Sequence, residues 1–98
     1  MNPDYQRLRS EADKLFYRFK DVLDDPAAAG GLAGEVRNVV EDFEQNKKPR
    51  SIEDRIKRVI DHLERVRSEG SVISSGDADD LVDRYEDLRR ELRKLDNY

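Results

Sequence analysis

The chain has no cysteine and no tryptophan, a single histidine and a single methionine. Without cysteine there are no disulfides, no zinc-thiolate sites and no thiol nucleophiles. Any chemistry must come from carboxylates, Arg, Lys, Tyr, Ser or His62. Long apolar runs are missing too. The longest weakly polar stretch, Ala27 to Gly34, is rich in glycine. It falls far short of the roughly 20 apolar residues that span a bilayer. The opening residues Met1 to Arg7 are polar and lack the apolar centre of a secretory leader. These features lead us to expect a cytoplasmic protein with no membrane partner. A lasting period-two alternation is also absent, so no strands are expected.

What is present is charge, placed periodically. Charged residues make up 43% of the 98 residues and hydrophobic ones 36%, yet the net charge is only −4. The length suits one domain spanning residues 1–98. Apolar residues recur at steps of three and four, the spacing that lines one face of a helix. The first helix is expected over 3–24. Asn2 would be its N-cap and Pro3 its first residue. Tyr5, Leu8, Ala12, Leu15, Phe19 and Val22 form its stripe, widened by Phe16 and Leu23. Asp24, Asp25 and Pro26 break the pattern.

The second helix is the least marked, expected over 31–47 with Leu32, Val36, Val39, Val40 and Phe43 on one face. Pro26 to Ala29 could also begin a helix, which Gly30 and Gly31 would weaken. Gly30, Gly31 and Gly34 lack the Lys-Ser/Thr ending of a phosphate-binding loop, so they read as a flexible connector or a close helix crossing. Pro49 reads as a block to further extension. The third helix is expected over 52–69. Ser51 and Asp54 would form its capping box and Gly70 its stop. Ile52, Ile56, Val59, Leu63 and Val66 make a heptad seam with Ile60 beside it. Val72 and Ile73 should tuck under the bundle end. The fourth helix, 75–95, carries Ala78, Leu81, Tyr85, Leu88, Leu92 and Leu95. Asp77, Asp79 and Asp80 at its start and Arg93 and Lys94 at its end follow the helix dipole. Four amphipathic helices with short connectors predict an all-α, antiparallel, up-and-down four-helix bundle.

The feature most open to a functional reading lies on the third helix. At 100° per residue, Arg55, Arg58, His62 and Arg65 form a stripe beside the core seam, with Lys47, Lys48 and Arg50 just upstream. Such side chains can flank a core and pair with carboxylates of a neighbouring helix. They can also face outward and bind an acidic protein surface or nucleic acid. Overall acidity and the lack of interleaved aromatics count against nucleic acid. Tyr17 falls about 100° from Phe16 and reads as an exposed aromatic, a mild interface signal.

Metal chemistry has three candidates. Asp79-Asp80-Leu81-Val82-Asp83 matches the D-D-x-x-D by which isoprenoid-chain synthases hold magnesium and diphosphate. A chain this short cannot build their cavity, so these acids read as a helix start. His62 is preceded three residues earlier by Val59, not by the carboxylate a di-iron bundle requires. Glu41 with Glu44, and Asp61 with Glu64, place carboxylates three apart on helices. In size and in these pairs the chain resembles the small all-helical nucleotide pyrophosphatases. That resemblance implies magnesium-dependent hydrolysis, although Asp61 should face solvent.

The sequence therefore favours a non-enzymatic interaction module with no cofactor and no metal. Its partner would be another protein or a second copy, docking at residues such as Ile60 or Val82 that flank a seam. A nucleic-acid-associated regulator using the basic stripe comes second, and a pyrophosphatase-like enzyme third.

Overall fold

The computed structural model describes residues 3–23, 30–69 and 73–96. Four helices account for nearly all of them: α1 (Pro3–Val22), α2 (Gly31–Glu44), α3 (Pro49–Glu69) and α4 (Ser75–Asp96). The expected Asn2 cap, the break at Asp24 to Pro26, a helix from Pro26 to Ala29, the Gly70 stop and the Val72 contact lie outside the described residues.

Helix ends differ from expectation at the α2–α3 corner. α2 stops at Glu44, three residues early, because the chain turns into a Schellman motif. Asn46 takes φ 56°, its N–H donates to the Phe43 carbonyl (3.1 Å), and the Lys47 N–H donates to the Asp42 carbonyl (3.0 Å). α3 then begins at Pro49, not at residue 52. Proline at the first helical position gives up a hydrogen bond that no helix would supply there. The Lys48 carbonyl accepts the first bonds, from Ser51 and Ile52. Ser51 is consequently inside the helix and its capping box does not form. The same Ser-x-x-Asp chemistry is used at α4 instead. Ser74 Oγ accepts the Asp77 N–H (3.2 Å) and donates to the Asp77 carboxylate (2.9 Å). Ile73 before this cap and Ala78 after it are both buried, as a hydrophobic staple requires.

Each helix buries its apolar stripe. Leu8, Ala12, Leu15 and Phe19 meet Leu32, Val36, Val39 and Phe43, the α3 seam, and Leu81, Tyr85, Leu88 and Leu92. Full burial of each large side chain contributes roughly 1.5–3 kcal/mol. Neighbouring helices pack in chain order and α1 closes against α4.

Cross-helix pairs fix the antiparallel direction. Arg7 near the start of α1 meets Glu91 near the end of α4 (3.2 Å), and Arg18 meets Asp77 (3.8 Å). Arg67 late in α3 meets Asp79 early in α4 (2.5 Å), while Arg93 reaches back to Glu53 (2.7 Å). Arg89 Nε also lies 3.4 Å from Glu53 but is buried and not aimed for a hydrogen bond. Between α1 and α2, the Tyr5 hydroxyl donates to the Lys47 carbonyl (3.0 Å) and lies 3.4 Å from that of Phe43. The fold is an all-α antiparallel four-helix bundle. Among the described residues, no helix is long and apolar enough to cross a membrane.

Two assignments of facing change. Ile60, expected at a flank open to a fifth helix, is 4% exposed; it lies a heptad from both Glu53 and Arg67, whose partners Arg93 and Asp79 are on α4, so it falls on the side that faces α4. Gly34, expected in a connector or crossing, sits in α2, and a Cβ there would meet open space.

Candidate functional site

The stripe on α3 divides in two. Arg55 and His62 lie a heptad apart on the side facing α2, where Asp42 and Glu35 are also a heptad apart. Antiparallel packing therefore brings the two pairs into register. Arg55 Nε donates to Asp42 Oδ2 at 3.2 Å. His62 Nδ1 lies 3.2 Å from Glu35 Oε2, which accepts when that nitrogen carries the proton. Asp42 is buried, so its pairing with Arg55 offsets the cost of removing a carboxylate from water. These residues act as a clasp between α2 and α3.

Arg58 and Arg65 face outward. Both are exposed, and neither forms an ion pair with a described residue. Lys47, Lys48 and Arg50 are likewise exposed at the corner and form no ion pair among the described residues. The outer face is not uniformly basic, however. Asp54 and Asp61, both exposed, are each four residues before Arg58 and Arg65, so carboxylates sit one turn from each guanidinium. A shallow depression of about 570 Å³ beside them is lined by Glu35, Asp61 and Glu64 as well as by Arg58, Arg65, Arg67 and Ser68.

The carboxylate pairs considered for magnesium do not converge. Asp61 and Glu64 border that depression, whereas Glu41 and Glu44 border a different one between α1 and α2. Glu41 also faces Arg37 at 3.5 Å. Among the described residues no three His, Asp or Glu side chains cluster closely enough to hold a metal ion.

A groove of about 760 Å³ runs between α1 and α4 over Leu8, Leu15 and Leu88. Its cations are already engaged: Arg7 and Lys94 with Glu91, Arg84 with Asp80, and Arg90 with Asp87. The Arg7 and Lys94 charges hold the Glu91 carboxyl below its ordinary value, with the Arg7 hydrogen bond the main cause.

The groove between α1 and α2 differs from both. It encloses about 340 Å³ and is lined by Phe16, Tyr17 and Val40, with Asp13, Arg37, Glu41 and Glu44. Tyr17 is 65% exposed, the one large hydrophobic side chain in the open among the described residues. Phe16 and Val40, both placed on core stripes by periodicity, are only half-buried. Phe16 meets Tyr17 edge-on at 5.9 Å, and the Lys20 ammonium lies 5.4 Å from the Phe16 ring centre. Sequence reading marked Tyr17 as exposed but did not join it to Phe16 and Val40. The available signal was position at the stripe edge: both residues follow directly after a fully inward neighbour.

No known protein family matches the chain, nor does any curated protein or solved structure.

Proposed function

We propose that the chain is a protein-interaction module that works by binding rather than by catalysis. The observation that carries this reading is the aromatic-apolar groove between α1 and α2. Tyr17 stands 65% exposed there, next to half-buried Phe16 and Val40. Phe16 and Val40 pack against the core with one side and leave the other open to the groove, while Tyr17 lies outside the core altogether. Exposed aromatics beside a concave apolar surface are the composition of interface centres, where Tyr is enriched. The separation of the two carboxylate pairs adds support, since it gives no common metal position to a hydrolase.

The test is substitution of Tyr17 by serine in the full chain. Circular dichroism and thermal unfolding should match the parent, because the side chain is outside the core. Binding to a partner recovered by site-specific cross-linking from position 17 and then purified should weaken at least about tenfold, the loss of a hot-spot aromatic. Unchanged affinity for that partner would remove the groove from the interface.

Arg58 and Arg65 favour a second reading, contact with nucleic acid through the outer face of α3. Binding of this kind falls steeply with added salt, because phosphate contacts release counterions. A gel shift showing no complex even at low salt would eliminate it. The nearby Asp54 and Asp61 make that the outcome we expect.

A further inference from the structure

The α1–α2 groove also specifies the chemistry of what it binds; this step rests on the interaction reading above. We infer that its occupant is a basic amphipathic helix of another protein, an apolar anchor flanked by Lys or Arg, and not a second copy of this chain.

The charges on the rim give the sign. Asp13 and Glu44 form no ion pair with any described residue. The Glu41 carboxylate is matched by Arg37 at 3.5 Å, and the Lys20 ammonium is placed over the Phe16 ring. The groove lining sets the carboxylates of Asp13, Glu41 and Glu44 against the single guanidinium of Arg37, so its net charge is negative even with the Lys20 ammonium beside it. An incoming cation gains twice, from these carboxylates and from the ring face of Tyr17, which attracts cations through its quadrupole. Two copies meeting symmetrically through this face would set Asp13 and Glu44 near their own images. Like charges so placed oppose a two-fold dimer here.

The walls give the conformation. Both are helices, whose backbone donors and acceptors are used internally. An extended segment would find no edge to pair with, and its own peptide groups would lose water without replacement. A helix satisfies its own backbone and presents residues at i, i+3 and i+4, a spacing suited to Phe16, Tyr17 and Val40. The groove is near the lower end of the range for binding pockets, enough for an anchor of one or two side chains.

The experiment uses the full chain as bait for a displayed library of helix-forming peptides with randomised faces. Binders are sorted by whether they also bind Tyr17→Ser. The Tyr17-dependent set should carry an apolar residue with a clear excess of Lys and Arg. Its affinity should fall about three- to tenfold when Asp13→Asn and Glu44→Gln are combined, the scale of two exposed charge interactions. A Tyr17-dependent set that is neutral or acidic, or indifferent to the double substitution, overturns the partner chemistry and leaves the groove as an interface. Absence of any Tyr17-dependent binder removes both. Sedimentation of the parent and of Tyr17→Ser adds a separate check. A dimer that dissociates on this substitution would overturn the choice of partner.

Discussion

At the scale of single residues, the molecule separates side chains that hold it together from those that decorate it. Leu63 has no exposed surface and lies at the centre of the α3 seam. Truncating it leaves a cavity in addition to the lost transfer energy. Leu63→Ala should therefore cost roughly 2–5 kcal/mol in a urea titration. Arg58, a member of the stripe, is exposed and forms no ion pair among the described residues. Arg58→Ala should change stability by no more than about 0.5 kcal/mol. The reverse ranking would mean that the facing of α3 is wrong. Arg55 and His62 cannot be grouped with Arg58 merely because they share a helix. They differ by one small rotation about the axis, and that rotation turns them from solvent toward Asp42 and Glu35. Sequence spacing showed the stripe, but not which neighbour would meet each edge of it.

At the scale of elements, the α2–α3 corner is where local chemistry decides the path of the chain. Asn46 adopts a left-handed conformation, and Asn and Gly tolerate this far better than residues with bulkier Cβ substituents. Asn46→Gly should leave the thermal midpoint unchanged or raise it slightly, whereas Asn46→Ala should destabilise by about 1 kcal/mol. Equal midpoints for the two would show that the corner is not held in this conformation. The helices themselves were legible, because inward positions repeat every three or four residues along all of them. The ends were less so. Pro49 opens α3 and does not end α2, which the turn at Asn46 has already closed, and the two roles of a proline look alike in a sequence. Ser-x-x-Asp occurs at Ser51 and at Ser74, and the motif alone does not say which serine precedes a helix. The α1–α2 groove was the least legible feature. Periodicity tells which residues point inward but not how closely two helices approach. Val40 and Phe16 lie at the edges of their stripes, on either side of the groove, and both stay half open.

At the scale of the whole molecule, the bundle is tied across its helices by cations that rarely lose their proton. Among the described residues, the pairs between helices use Arg7, Arg18, Arg55, Arg67, Arg89 and Arg93, with His62 as the exception, while the lysine pairs of Lys14 and Lys94 stay within one helix. Guanidinium remains charged at any pH a protein survives, so raising the pH leaves the arginine links intact. The alkaline limit should instead be set by two phenols. Burial pushes Tyr85 well above the ordinary tyrosine value of 10.0. Burial also raises Tyr5, with Asp42 adding to the rise and Arg9 opposing it. In the unfolded chain both would ionise near that ordinary value. Above it the unfolded state has released protons that the folded state still holds, so unfolding is favoured by rising pH. Stability from this source is complete below about pH 10 and is lost progressively as pH climbs toward the raised folded values. The steepest decline, from Tyr85, is about 1.4 kcal/mol per pH unit. Tyr85→Phe keeps the ring in the core and removes the proton. Urea midpoints for this variant should therefore fall less steeply between neutral and strongly alkaline pH than those of the parent. Parallel slopes would mean that the Tyr85 hydroxyl reaches water and that the core is more open at this point than the packing shows.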